Sequence, residues 1–276
     1  MWTSSVKSTA SSNSRAFGSF AGGRLFRGLA LLGGLLLGQQ AGLAADCGLD
    51  RADETVSLQR VIDGDTVRLS DGRKVRFSAI NTPEIARGKR PAEPFGKQAK
   101  ERLRQLIAGK TLLLRHDKRR HDKYKRLLSH VFLADGTNVQ AWLLEQGLAI
   151  HSLEPPNLWR TDCYAAKERE ARQARRGLWR HPRYQPLQAR RAQRENTGFY
   201  RVSGRVQDIE RTKGRIWLRL SDTLALRIEK RDRRYFPAGM LEKLAGKRVI
   251  AKGWLFPYRE GLNLRLRHPA ALEIIE

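Results

Sequence analysis

Acidic residues, cysteines and long apolar stretches are all scarce in this chain. Its 276 residues include 28 Asp and Glu against 54 Lys and Arg, which gives a formal net charge of +26. This shortage of acid exceeds what solubility requires, so we expect a polyanionic partner. Nucleic acid is the partner that we favour. Charge by itself does not separate nucleic acid from an anionic lipid or lipopolysaccharide.

The first 44 residues contain no acidic residue and no apolar run long enough to span a bilayer comfortably, since a spanning helix needs roughly 20 apolar residues. Four basic residues come first, then the Leu-rich run Gly28–Gly38, then small residues at 41–45. This order predicts a secretory signal peptide over residues 1–44. The mature protein would be exported, either periplasmic or secreted, without a stable membrane anchor. An uncleaved anchor is the alternative.

Only two cysteines are present, Cys47 and Cys163, so one intramolecular disulfide is the most that the chain can form. Export would place both in an oxidising compartment, where a pair can join. Such a bond would tie the mature N-terminus to a late helix and restrict the unfolded chain. Two unrelated thiols are an equal alternative, because the sequence gives no distance between them.

Hydrophobic periodicity over residues 56–181 predicts a mainly β fold with helices, of the α+β class. Asp71-Gly72 lies between two strand-like runs and is a strong hairpin signal. Pro94 to Ala108 has apolar residues at helical spacing, and Leu127 to Leu133 is strand-like. Five strands with helices after the third and the fifth predict a small closed barrel of the oligonucleotide-binding type.

The amino-acid composition after residue 181 defines two further segments. Residues 182–197 are rich in arginine and glutamine and poor in apolar residues, and they are interpreted as a basic linker or an exposed helical spacer. Residues 198–276 contain five short strand candidates, which predict a second, smaller β-barrel domain of the oligonucleotide-binding type. Its role is left open, although binding of single strands is a common task of this fold. The oligomeric state is not indicated.

Four stretches of residues 56–181 contain the residue types that phosphodiester hydrolysis requires. Carboxylate and carbonyl oxygens suit a hard cation, a carboxylate can activate water, and arginine forks bind phosphate oxygens. Each stretch alone has a simpler reading, as turn chemistry, a solvated strand arginine or a charged loop. The stretches are Asp63-Gly64-Asp65-Thr66, Arg76, Asn81-Thr82-Pro83-Glu84 and Asp122-Lys123-Tyr124-Lys125-Arg126.

In order and spacing these stretches resemble the thermonucleases of staphylococcal-nuclease type. Val61 to Glu84 is similar to the first half of the thermonuclease signature, and Asp122 to Arg126 to the second half. The resemblance continues through Ala134-Asp135-Gly136, Gln146 to Ala149 and Gly177-Leu178-Trp179, and it covers roughly residues 56–181. It implies a barrel of that fold and a nuclease activity.

The resemblance also implies roles for the acidic stretches. The residues matching Asp65 and Thr82 bind calcium in the family, the latter through its backbone carbonyl, and the residue matching Glu84 is the usual candidate for the general base. The family usually has aspartate where this chain has Asn81. An amide oxygen still ligates calcium but carries no charge, so we expect weaker binding, and another divalent metal stays open.

Four basic and aromatic positions are implied to contact the substrate. Those matching Arg76 and Arg126 grip the scissile phosphate, and those matching Lys123 and Tyr124 contact the nucleotide phosphate. The family's substrate-facing tyrosines after the last barrel strand are missing, because residues 152–154 are Ser, Leu and Glu here. Base stacking is therefore either lost or transferred to His151 or Trp159.

These observations predict an exported nuclease that hydrolyses DNA and RNA with little sequence preference and leaves a 3′-phosphate. The main alternative is a protein that binds nucleic acid without cleaving it. Asn81 favours the alternative, whereas the presence of Asp65, Arg76, Glu84 and Arg126 together favours the enzyme. An envelope protein that binds anionic glycolipid is a third reading, but it gives the carboxylates no task.

Overall fold

The computed structural model describes residues 46–88 and 91–275. The predicted signal peptide, residues 1–44, lies outside these ranges. No helix within them is both long and apolar enough to cross a membrane.

The first half of the described chain is a closed β-barrel, as predicted. Its strands pair in the order β1-β2-β3-β6-β5, and β5 returns to β1. Strands β3 and β6 are parallel, and the other neighbours are antiparallel. The bounds are β1 Glu54–Val61, β2 Thr66–Leu69, β3 Lys74–Phe77, β4 Ile80–Asn81, β5 Thr111–His121 and β6 Leu127–Leu133. Strand β4 stands outside the barrel and pairs with β7, Ile150–His151.

Three helices pack on this barrel, and the first of them matches the predicted helix at Pro94 to Ala108 closely. Helix α1 spans Gly96–Ile107, α2 spans Val139–Glu145, and α3 spans Thr161–Gln173. The apolar residues of α1 that were predicted from spacing, including Ala99 and Leu103, are fully buried. The predicted hairpin is confirmed, because β2 and β3 flank Asp71-Gly72 with antiparallel pairing.

The second half is an eight-stranded sheet with its own apolar core. Strands pair in the order β10-β11-β12-β14-β13-β9-β8, and β15 pairs with β13. Strands β12 and β14 are parallel. The bounds are β8 Leu187–Gln188, β9 Gly198–Arg205, β10 Asp208–Arg211, β11 Arg215–Arg219, β12 Leu224–Glu229, β13 Arg248–Tyr258, β14 Gly261–Arg265 and β15 Leu272–Ile274.

The strand order of this second sheet repeats that of the first barrel. Strands β9 and β10 are separated only by Val206-Gln207, whose N–H groups donate to Lys247 and Arg219 on opposite sides, at 2.9 Å each. If β9 and β10 are counted together as the first strand, the five strands pair in the order first, second, third, fifth, fourth, as in the first barrel. In both halves the third and fifth strands are the parallel pair. A second β domain is therefore observed. Its assignment to the oligonucleotide-binding type stays a prediction, which this order supports.

Residues 182–197 join the two halves, and they are anchored at a few positions although most of them are exposed. Leu187 and Gln188 form β8, parallel to β9, and Tyr184 is buried and donates to the Pro94 carbonyl at 2.5 Å. The buried residues of this segment are apolar or aromatic, namely Tyr184, Ala189 and Ala192. Cys47 and Cys163 form a disulfide, with Cα atoms 5.5 Å apart.

Candidate active site

Asp65 is the centre of a cluster at the turn between β1 and β2. One carboxylate oxygen forms an ion pair with the Arg76 guanidinium and accepts from the Thr82 N–H, at 2.9 Å each. The other accepts from the Thr66 hydroxyl at 3.2 Å. Since the Asp65 carboxylate is buried, these bonds compensate for the loss of water. A single acid therefore holds together three of the stretches that the sequence indicated.

Two glycines permit the close approach of these segments. A Cβ on Gly64 would lie 2.7 Å from the Thr82 hydroxyl oxygen, and one on Gly96 would lie 2.4 Å from the Glu84 carbonyl oxygen. Any larger residue would push the turn or the start of α1 away from the Thr82–Glu84 segment. The first glycine belongs to a motif that the sequence indicated, but Gly96 carried no such signal.

The three predicted metal-binding residues lie together. The Asn81 side-chain oxygen is 3.4 Å from an Arg76 nitrogen, and its amide nitrogen is 3.4 Å from the Thr82 carbonyl oxygen. Asp65, Asn81 and Thr82 thus offer a carboxylate, an amide oxygen and a carbonyl, all hard donors of the kind that calcium takes. Within residues 46–88 and 91–275, no cluster of three His, Cys, Asp or Glu side chains could hold a metal ion. The donors fit a cation that also keeps water or substrate oxygens.

Two further carboxyls near Asp65 have perturbed acidity. Burial raises the pKa of Asp63 to about 6, and the nearby Asp65 charge is the second cause of the increase. Burial followed by the Asp65 charge also raises the pKa of Glu84 above its usual value, and Arg76 opposes the shift. Glu84 is half-buried, and its backbone N–H donates to Glu93 at 3.0 Å. Sequence reasoning treated Asp63 as turn chemistry and missed its burial.

The loop between β5 and β6 places Arg126 near this cluster. Asp122 accepts from the N–H groups of Tyr124 and Arg126, at 2.8 and 3.0 Å, and from the Arg126 side chain at 2.8 Å. Burial raises the pKa of Asp122, but these bonds outweigh it and hold the pKa below its usual value. The Arg126 guanidinium also reaches the Thr66 hydroxyl at 3.3 Å, which links it to Asp65.

Lys123 and Tyr124 extend from the tip of the same loop. Tyr124 is 68% exposed, and the Lys123 ammonium lies 4.9 Å from the centre of its ring. An exposed aromatic ring beside two cations suits contact with a nucleotide, because phosphate and base are bound by charge and by stacking. The structure therefore puts the two predicted substrate-binding residues on the Arg126 side of the cluster.

The two suggested replacements for the family tyrosines differ in exposure. The His151 ring is completely buried. Trp159 packs against His130 at 4.6 Å between ring centres, and the guanidinium of Arg115 lies 4.3 Å from its ring centre. Leu153 is buried in the apolar core of the second sheet. Transfer of stacking to His151 is therefore wrong, because that ring is buried, whereas Trp159 is only half-buried and transfer of stacking to it stays a prediction.

A closed five-stranded barrel with an acid–arginine cluster at one turn defines a domain of the staphylococcal-nuclease class. Residues 74–181 match the family model described as Staphylococcal nuclease homologue. The chain is 37% identical over 129 residues to Endonuclease YncB of Bacillus subtilis (strain 168), covering 45% of this chain and 61% of that protein. It is 32% identical over 134 residues to a Thermonuclease of Staphylococcus intermedius, covering 47% of this chain and 79% of that protein.

A third relative, an Uncharacterized endonuclease of Escherichia coli O157:H7, is 32% identical over 137 residues, and the match covers 78% of that protein. This chain belongs to the family of staphylococcal nuclease homologues. The second sheet lies beyond the residues that match the family model. The match also spans only about three fifths of Endonuclease YncB, at 61% of its length.

Proposed function

We propose that this protein is an exported, metal-dependent nuclease that hydrolyses phosphodiester bonds in DNA and RNA. The observation that carries the proposal is the Asp65 carboxylate, which joins Arg76 and Thr82 at 2.9 Å each. A protein that only binds phosphate gains nothing from a buried acid at its phosphate site. The endonuclease and thermonuclease names of the relatives support the same conclusion.

The cluster divides the chemistry among a few groups. A divalent cation, calcium by family likeness, would be held by Asp65, Asn81 and Thr82 and would neutralise charge on the phosphoryl oxygens. Glu84 accepts the proton of the attacking water. Its raised pKa brings it closer to neutral pH, where a general base is most effective.

The arginines bind the phosphate that is cleaved. Arg76 uses part of its guanidinium on Asp65, which leaves other N–H donors for phosphate oxygens. Arg126 is oriented by Asp122 and approaches from the other loop. Both remain charged throughout, so they stabilise the charge that develops on phosphorus. Contacts of this kind give little sequence preference, because phosphates do not report the base. The product would carry a 3′-phosphate.

Export is supported by the disulfide between Cys47 and Cys163. Such bonds persist in oxidising compartments and are rare in the reducing cytosol. Together with the basic, apolar and small-residue order of the first 44 residues, this bond favours a periplasmic or secreted protein.

A second candidate is a nucleic-acid-binding protein without catalysis. Asn81 favours it, because the amide removes one negative charge from the donor set. This candidate differs from the enzyme in one measurable outcome, since it shifts nucleic acid on a gel but leaves it intact.

The test is to incubate the mature chain with supercoiled plasmid and with RNA, first with calcium and then with excess chelator. We expect degradation of both substrates with calcium and none with chelator. Magnesium and manganese, added in parallel, identify the preferred ion. A salt-sensitive gel shift without degradation under every metal would overturn the enzyme and support the binder.

A further inference from the structure

One aromatic ring of the second sheet is exposed to solvent. Phe256 on β13 is 45% exposed. Among the described residues, the exposed large apolar side chains include one other aromatic, Tyr124, which lies beside the candidate active site. Exposure of a phenyl ring to water is unfavourable. The surface around Phe256 is therefore a candidate binding site.

The pairing of β11, β12, β14 and β13 defines that surface. Side chains alternate along β11, so that Ile216 and Leu218 are buried while Trp217 points to the other face. Phe256 lies opposite Asn263 on β14, and Asn263 lies opposite Ala225 on β12. Trp217 lies opposite Arg227, which lies opposite Arg265. These residues share the outer face of one continuous sheet.

Two more aromatic rings meet on this face. The Trp217 and Tyr258 rings pack against each other, with their centres 4.9 Å apart and their planes tilted by 30°. The Arg227 guanidinium lies 5.9 Å from the Trp217 ring centre, and the Arg259 guanidinium lies 5.5 Å from that of Tyr258. We name Trp217, Phe256 and Tyr258 the aromatic face. Arginines flank it, and Arg227 forms an ion pair with Glu229 at 3.2 Å.

Asn263 provides an independent sign of a ligand here. Its side chain is 2% exposed, and its amide oxygen has no hydrogen-bond partner among the described residues. A buried acceptor without a donor is costly to a fold. It sits opposite Phe256 in the ladder, on the same face of the sheet. The N–H groups on a nucleobase edge are donors of the kind that it lacks.

One residue of the aromatic face, Phe256, lies beside residues of the first half. Phe256 and Arg265 line a cavity of about 130 Å³, whose opposite wall includes His151 and Ser152 of the first half. The residue before His151 is Ile150, which pairs with Asn81 in the β4–β7 ladder. The wall of this cavity is therefore one residue away from the ladder that contains Asn81.

We propose that the aromatic face binds unpaired nucleotides of the strand that enters the nuclease site. Bases stack on Trp217, Phe256 and Tyr258, and Arg227 and Arg259 contact the phosphates between them. Unpaired bases offer their faces to such rings, whereas bases in a duplex are already stacked. The proposal rests on the proposed function for its substrate class, but it concerns binding rather than cleavage.

The test measures binding with chelator present, so that no strand is cut. Full-length mature chain carrying Trp217→Ala and Phe256→Ala is titrated against a thymidine single strand of about 20 nucleotides and a duplex of equal length. We expect single-strand affinity to fall about tenfold or more, because each lost stacking contact contributes at this level. Duplex affinity should stay within about twofold, because paired bases do not stack on the rings.

The matched control is Tyr235→Ala, which removes a partly buried aromatic ring next to Arg234 that does not belong to the aromatic face. It should leave both affinities unchanged. Equal loss for single strand and duplex would overturn stacking in favour of general charge attraction, and no loss for either would overturn the site. Thermal unfolding checks that each variant is folded.

Photo-crosslinking of wild-type protein to a strand containing 5-iodouracil gives a readout that needs no variant. Crosslinks should map to peptides carrying Trp217, Phe256 or Tyr258, and their absence there would contradict the proposal. The outcome is separable from that of the proposed function. Failure of the wild-type chain to degrade plasmid refutes the nuclease, while these binding results test the aromatic face alone.

Discussion

The two halves of the described chain have the same strand order, but they carry different chemistry. In the first, the turn that joins the first two strands contains Asp63 and Asp65, both buried beside Arg76. In the second, the corresponding turn is Thr212-Lys213-Gly214 and has no carboxylate. The second half also buries an acid, Asp232, but ion pairs with Arg265 and Arg267 occupy it.

This difference shows that the hydrogen-bonded frame does not decide the activity. The backbone ladders are similar in both halves, and the residues in turns and on outer strand faces differ. In the first half, a buried acid at the turn, Asp65, belongs to the proposed cation site. In the second half, outward aromatic rings form the proposed platform for stacked bases. Each of the following predictions tests whether these tasks are separate.

The largest expected effect is on cleavage. Glu84→Gln keeps the shape of the side chain but removes its ability to accept a proton, so turnover should fall by about 10²- to 10⁴-fold. Single-strand binding with chelator should be unchanged, since the aromatic face lies on the other half. The measurement is initial plasmid nicking beside a titration of single strand.

The control for this variant is Glu101→Gln, an exposed residue on α1 that pairs with Arg104. It should cleave like wild type. If Glu84→Gln retained cleavage, the role of general base would have to pass to another group. If it lost single-strand binding as well, the two halves would not have separate tasks.

The next effect concerns the attachment of one half to the other. Glu168 on α3 and Lys252 on β13 are both buried and form an ion pair. Glu168→Ala leaves the Lys252 ammonium buried without its partner, which should lower the free energy of unfolding by about 3–5 kcal/mol. Urea denaturation measures it.

Glu170→Ala, on the exposed side of the same helix, serves as the matched control and should change the free energy of unfolding by less than about 0.5 kcal/mol. A small effect of Glu168→Ala, similar to this control, would mean that the two halves are held together by apolar contacts and by the pairs Arg172–Glu273 and Arg267–Glu154 instead.

The smallest effect is a pH dependence at the same junction. Burial holds the pKa of His151 well below its usual value, and the charges of Lys252 and His268 lower it further. The unfolded chain therefore binds a proton below about pH 6.5 that the folded chain does not. Stability should fall as the pH drops below that value, by up to about 1.4 kcal/mol per pH unit from this group.

His151→Phe tests this directly, because neither ring nitrogen of His151 has a hydrogen-bond partner among the described residues. The variant should lose less stability than wild type between pH 7 and pH 5.5, as measured by urea unfolding at each pH. His121→Phe, at an exposed position, should behave like wild type. Identical pH profiles for all three proteins would show that the pKa of His151 is not lowered in the folded protein.

Much of the first half could be predicted from sequence because its signals are local. A turn dipeptide, an apolar spacing and a capping residue act within a few positions, as the β2–β3 hairpin and α1 show. Asn138 is such a capping residue for α2, and its side chain accepts from the Ala141 N–H at 3.0 Å. The motif order likewise indicated which acids and arginines belong together.

Other features depended on groups distant in sequence. The Lys252–Glu168 pair, the Cys47–Cys163 bond and the packing of residues 182–197 on the second sheet bring together segments that no spacing relates. Packing of Trp217 against Tyr258 also requires two separate strands in a particular register. By itself, the sequence determined the local elements and the chemical types available at the site. The tertiary structure decided which of them meet, because long-range contacts depend on how whole strands pair and close.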